Sequence, residues 1–103
     1  MYTSLNAHPI SKQELTDLIT DGIVEKNDYL WIVMKEYFGR SIDSGFANKL
    51  FHFRITDIDD NSIEFELPND TLWLWFEDYG INWEVWNICP SDEELNKIEW
   101  SEK

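Results

Sequence analysis

Two consecutive stretches decide the fold: Leu50-Phe51-His52-Phe53-Arg54-Ile55-Thr56-Asp57-Ile58 and Ser62-Ile63-Glu64-Phe65-Glu66-Leu67, separated by Asp59-Asp60-Asn61. In the first, Phe51, Phe53 and Ile55 alternate with His52, Arg54 and Thr56; in the second, Ile63, Phe65 and Leu67 alternate with Glu64 and Glu66. A period of two marks strands with one buried face. The intervening residues have turn chemistry, with Asn61 able to take left-handed backbone. A three-residue loop sets Phe53 opposite Leu67, Ile55 opposite Phe65 and Arg54 opposite Glu66. A two-residue loop would set Ile55 against Glu66. The buried face fixes register, so the three-residue loop is expected.

Upstream, the period lengthens to that of helices. Ser11 and Glu14 have capping-box spacing, Leu15, Leu18 and Ile19 form one stripe, and Gly22 is placed to end the helix. Tyr29, Leu30, Val33, Met34, Tyr37 and Phe38 suggest a second helix over residues 28–38, with Asn27 or Asp28 as cap and Gly39 as stop. Trp31, Ile32 and Val33 favour a strand at the same place, and periodicity alone leaves both open. Length and Gly39 decide for helix.

Downstream, Pro68-Asn69-Asp70 breaks the chain, and two more strands are expected at Thr71–Glu77 and Asn82–Ile88. Joined through Asp78-Tyr79-Gly80-Ile81, they pair Phe76 with Trp83, Trp75 with Glu84, Leu74 with Val85 and Trp73 with Trp86. Leu72, Leu74, Phe76, Trp83 and Val85 then form a core face, and Trp73, Trp75, Glu77, Glu84 and Trp86 the other. Ser91 and Glu94 form a second capping box, opening a short acidic helix from Asp92 to about Trp100. The expected fold class is α+β: one or two N-terminal helices packed on an antiparallel sheet of about four strands, with a short C-terminal helix, in a single domain.

Charge is distributed unevenly. Of 103 residues, 8 are basic and 21 acidic, net −13. Residues 1–55 carry six basic groups against seven acids, and residues 56–103 carry two against fourteen. Five of the six tryptophans also lie in the second part. Such asymmetry suggests a basic partner, or an acidic surface that serves solubility alone. Phosphates would be repelled, which argues against direct binding to nucleic acid or to an anionic membrane. An aromatic content of 16% argues against disorder. The start of the sequence has no signal-peptide character, and a lone Cys89 suits a reducing compartment, so a cytoplasmic location is expected.

No catalytic or metal constellation stands out. His8, His52 and Cys89 lack zinc-site spacing. Cys89, in an acidic stretch, lacks the electropositive surroundings of a nucleophilic thiolate. Asp57-Ile58-Asp59-Asp60-Asn61 resembles the start of a calcium loop, but Ser62 and Pro68 stand where that loop needs Gly and a bidentate acid. The paired carboxylates are too numerous for any one pair to suggest glycoside hydrolysis. No cofactor motif and no phosphate-binding glycine loop is present. The expected binding residues are Trp73, Trp75, Glu77, Glu84 and Trp86, with Glu64, Glu66, Asp59, Asp60 and Asp78 around them. Aromatics give contact area, and carboxylates beside them select a cationic partner. The same hairpin sandwiched inside a small core would place those aromatics in the interior instead.

In length, acidity, aromatic content and single-domain organisation, the chain resembles the small acidic immunity proteins of bacterial polymorphic and contact-dependent growth inhibition toxin systems. The resemblance is one of overall character. It implies a non-enzymatic protein that neutralises a basic toxin domain, a nuclease by expectation, by covering its active site or an adjacent surface. Two other classes fit the composition. A nucleic-acid mimic of the anti-restriction or anti-CRISPR kind needs regularly spaced acids over a long surface. A carbohydrate-binding domain would use Trp73, Trp75 and Trp86 as a platform, with little dependence on salt.

Overall fold

The alternating stretch from Leu50 becomes the middle of a sheet with a strand pair on one side and a single strand pair on the other. A computed structural model describes residues 6–36 and 47–100. Along the chain run α1 (Lys12–Thr20), β1 (Tyr29–Glu36), β2 (Ala47–Ile58), β3 (Ser62–Leu67), β4 (Asp70–Trp75), a single 3-10 turn (Phe76–Asp78), β5 (Trp83–Trp86) and α2 (Asp92–Asn96). The strands form one antiparallel sheet of five, in the order β4-β3-β2-β1-β5. The molecule is thus α+β, with five strands rather than four.

The hairpin of β2 and β3 keeps Ile55 opposite Phe65, but not through the expected three-residue loop. Ile58 lies opposite Ile63 and the Asp59 N–H donates to the Ser62 carbonyl, so Asp60-Asn61 make a two-residue turn and a bulge restores the register beyond it. Ile55 and Ile58 lie three apart, so strict alternation would put one on each face. The bulge between Ile55 and Asp57 turns Ile58 back to the core side, opposite Ile63. The turn itself is held by Asp59, whose Oδ1 accepts from the Asn61 N–H at 2.8 Å, the Ser62 N–H at 2.8 Å and the Ser62 hydroxyl at 3.2 Å. Left-handed backbone at Asn61 is therefore not used; it occurs at Asn27 and Asn69.

The helix expected over residues 28–38 is strand β1. Leu30, Ile32 and Met34 face the main core, while Val33 is fully buried on the opposite face. A strand covered on both sides is apolar at consecutive positions, and that pattern imitates a helix stripe. Gly39, taken as its stop, lies outside the described residues.

The expected pairing of the last two strands is also replaced. Pro68-Asn69 is not a break but a two-residue turn, with Asn69 at φ 67, and it folds β4 back onto β3. β5 pairs instead with β1, Val85 opposite Ile32 and Trp83 opposite Met34. β1 offers an edge with apolar groups on both faces, and β5 covers it. A flat sheet of five strands would hold its edge strands about 19 Å apart. The Trp83 indole nevertheless donates to the Trp75 carbonyl at 2.8 Å. The sheet is curled, and its two edges converge at this end.

α1 packs inside the curl through Leu15, which is fully buried. Ser11 Oγ accepts from the Glu14 N–H at 3.0 Å. At the other end, Gly22 at φ 75 completes a Schellman motif, its N–H donating to Ile19 and that of Ile23 to Leu18. α2 has the full Ser91/Glu94 capping box but ends at Asn96, shorter than expected. Beyond α1, residues Asn6–Ile10 run along the outer edge of β5: Ile10 N–H donates to Val85 at 2.9 Å, and Asn87 N–H to His8 at 3.1 Å.

Tyr79 locks these parts together. Its hydroxyl donates to the Ile10 carbonyl at 2.7 Å and accepts from the Val85 N–H at 2.9 Å. Burial pushes this hydroxyl well above the ordinary tyrosine range, so it stays a neutral donor. Replacing Tyr79 with Phe strands two backbone groups and is expected to cost about 1–3 kcal/mol. A urea titration checks this through a lower midpoint at unchanged slope; an unaltered midpoint would refute the junction's importance.

Candidate interaction surface

The register sorts side chains onto two faces. Leu30, Ile32, Phe51, Phe53, Ile55, Ile63, Phe65, Leu72, Leu74, Trp83 and Val85 point to α1 and the main core. Trp31, Val33, His52, Arg54, Glu64, Glu66, Trp73, Trp75, Glu84 and Trp86 share the other face. The C-terminal segment covers only part of that second face. Its residues Glu94 and Ile98 border a cleft with Glu84 and Trp86, and α2 lies against β2. At β4 the face is open enough to leave its two tryptophans half-exposed.

Trp73 and Trp75 stand 41% and 47% exposed. Trp73 lies directly opposite Glu64, and Trp75 opposite Ser62. Glu64 Oε1 accepts from the Thr56 hydroxyl at 3.0 Å, which fixes it beside Trp73. Asp57, exposed, lies opposite Glu64 on the other side. Beyond Trp75, a shallow cleft of about 370 Å³ is bordered by Lys12, Asp60, Asn61, Trp75 and Glu77. The Phe76 N–H donates to Asn61 at 2.9 Å and ties the strand end to the β2–β3 turn. Trp73, Trp75, Glu64, Asp60 and Glu77 are thus gathered at one edge of the sheet.

Other expected site residues have different employment. Glu66 is paired with Arg54 at 3.1 Å, and that guanidinium holds its carboxyl below the usual range. Asp59 is held low by the Asn61 and Ser62 N–H groups of its own turn. Asp78 accepts the Ile81 and Asn82 N–H groups on its backbone carbonyl, shaping the connection to β5.

Glu84 and Trp86 do not join the Trp73/Trp75 group. They sit on β5, at the opposite edge, because β5 pairs with β1 and not with β4. Trp86 is only 6% exposed and donates through Nε1 to Glu84 Oε1 at 3.0 Å. Burial raises the Glu84 carboxyl above its ordinary value, and the Trp86 bond only partly opposes this. Trp83, by contrast, is core at 1% exposure, as the alternation implied.

One group escaped the sequence reading. His52 stacks on Trp31 with centroids 3.8 Å apart and planes 5° from parallel, and Tyr29 lies 5.3 Å from the same imidazole. Reading residues 29–36 as a strand opposite 47–54 would have revealed the pairs Trp31–His52 and Tyr29–Arg54. The open face therefore carries aromatics on both flanks, with Glu64, Glu66 and Arg54 between. Among the described residues no group of three His, Cys, Asp or Glu side chains is arranged to hold a metal ion, and no helix is long and apolar enough to cross a membrane. Comparison with protein-family models, with curated proteins and with solved structures returned no match.

A carboxyl raised in the folded state disfavours its ionised form there. The resulting penalty is absent at low pH and grows as pH rises from the unfolded towards the folded value. Glu84→Gln removes it. The variant's urea midpoint is therefore expected to gain on the parent's as pH rises above the ordinary carboxylate value of about 4; a pH-independent difference would contradict the assignment.

Proposed function

We propose that this chain is a non-enzymatic acidic binding protein that neutralises a basic protein partner, in the manner of the toxin immunity proteins it resembles. The partner is a toxin domain, by class a nuclease, and the setting is the cytoplasm. The observation that carries the reading is the pair of half-exposed tryptophans on edge strand β4, with Glu64 and Asp57 beside Trp73, and Asp60, Glu77 and the α1 residue Lys12 around the cleft at Trp75. Exposed tryptophans are the commonest anchors of protein interfaces, and carboxylates around them favour arginine and lysine over neutral or acidic surfaces. The excess of acids in residues 56–103 adds a field that draws a basic partner in.

The interleaving of Trp73, Trp75 and Arg54 among the acids speaks against a nucleic-acid mimic, whose surface would carry carboxylates without aromatic interruption. Glu84 and Trp86, once grouped with this surface by sequence, are left out of it.

The test is capture of the partner from the native host, followed by binding constants for alanine variants. The captured protein is expected to be basic and to be released by salt. Trp73→Ala and Trp75→Ala should each weaken it by about 2 kcal/mol or more, roughly thirtyfold. Their stabilities should stay within about 1 kcal/mol of the parent, as for surface residues, whereas Trp83→Ala should lose about 3–5 kcal/mol. Undiminished binding by the Trp73/Trp75 double variant would overturn the surface. A neutral or acidic partner, or a sugar bound without salt dependence, would overturn the function.

A further inference from the structure

The cleft at the β5 edge has a use that the β4 surface does not supply. It measures about 280 Å³, room for roughly nine water molecules at bulk density. Glu84 and Trp86 are its buried members; Pro9, Glu94, Lys97, Ile98 and Glu99 border it closer to solvent.

We propose that this cleft is a receptor for a single guanidinium group, its charge against Glu84 and its stem along Trp86. Glu84 is only 9% exposed. Its Oε1 accepts one hydrogen bond, from the neutral Trp86 indole at 3.0 Å, and its Oε2 meets solvent in the cleft, since no buried side-chain oxygen among the described residues lacks a partner. A carboxylate with so little access to water is stabilised by a cation that pairs with it through the cleft. Here no compensating cation is present among the described residues. Lys97, the one basic residue on the cleft, directs its ammonium to Glu93 at 3.1 Å, with both side chains well exposed. Glu94 adds a fixed negative charge, because Ser91 N–H donates to its Oε1 at 2.8 Å and holds its carboxyl below the usual range. Glu84, Glu94 and Glu99 together exclude an anion.

Guanidinium fits better than the alternatives. A divalent ion needs several oxygens converging on one point, and no such group exists among the described residues. An ammonium holds its water more tightly and gains less from an aromatic wall, whereas guanidinium is planar, weakly hydrated and stacks on indole. The group has two possible sources: an arginine side chain of a protein partner, or a free guanidino compound. The site is independent of the Trp73/Trp75 reading, since it lies at the other edge of the sheet.

The experiment follows the Trp86 indole N–H by proton–nitrogen correlation spectra during titration with N-ethylguanidinium chloride. Equal ionic strength is held with sodium chloride, and N-ethylurea serves as the neutral analogue. A saturable shift of the Trp86 signal is expected with the guanidinium and not with the urea, at lower concentration than any shift of the exposed Trp73 and Trp75 indoles. Glu84→Gln, which keeps shape and hydrogen bonding, should weaken that binding at least tenfold with an otherwise unchanged spectrum. A blocked Gly-Arg-Gly peptide and agmatine separate the sources: tighter binding by the peptide assigns the site to a protein arginine, and tighter binding by agmatine to a free compound. No saturable shift, an equal shift with N-ethylurea, or undiminished binding by Glu84→Gln would each overturn the proposal. None of these outcomes bears on the alanine variants of β4, so failure here leaves the reading of that surface intact.

Discussion

The Tyr79 hydroxyl is where three segments of the chain meet, and the arrangement of both sheet edges depends on it. Through Ile10 it holds the N-terminal strip, through Val85 it holds β5, and its own loop follows directly from β4. With Trp83 anchored on the Trp75 carbonyl, the connection carries β5 away from β4 and delivers it to β1. Were β5 to fold back on β4 as a simple hairpin, β1 would present Ile32 and Val33, both fully buried here, at an open edge. The junction thus chooses between two pairings that differ in how much apolar surface they leave in water.

That choice makes the two edges unequal. β5 is sheathed by Asn6–Ile10 on its outer side, and the C-terminal segment borders Glu84 and Trp86 on its face. β4 has neither cover among the described residues, yet it bears the two most exposed tryptophans of those described. An open edge strand with large apolar side chains invites unwanted pairing, and proteins ordinarily blunt such edges with charge. Acids do surround this one, and a second copy bearing the same −13 would be repelled. The same charges that discourage self-association favour a basic surface. Under the proposed function, one feature of the sequence serves both solubility and selection of a partner.

How much of this was legible depended on whether an element has one buried face or two. The β2–β3 hairpin was readable because polar residues mark its open side, and Ile55 opposite Phe65 with the Arg54–Glu66 pair keeps the register read from it, though only on the far side of the bulge from the turn. Its bulge was foreshadowed only by the three-residue interval between Ile55 and Ile58. β1 was misread because consecutive apolar residues carry no period when both faces are covered. The inward set Leu74, Trp83 and Val85 was right although the pairing was wrong, since alternation within a strand does not depend on its neighbour; Phe76 is also buried, but in the 3-10 turn that replaces the expected end of its strand. What alternation cannot give is which strands lie side by side. That is why Trp73 and Trp86 were joined in sequence and are parted in space.

Charge steering by the open half of the sheet is the central claim, and the rate of association with the captured partner tests it most directly. Stopped-flow tryptophan fluorescence between about 50 and 300 mM salt should show the association rate falling at least about tenfold, with dissociation changing by about twofold or less. Asp57→Lys with Glu64→Lys should reproduce the loss at low salt and flatten the dependence, whereas Glu14→Lys with Asp17→Lys on α1 should not. An association rate indifferent to salt, or equal losses from the two double variants, would contradict the account.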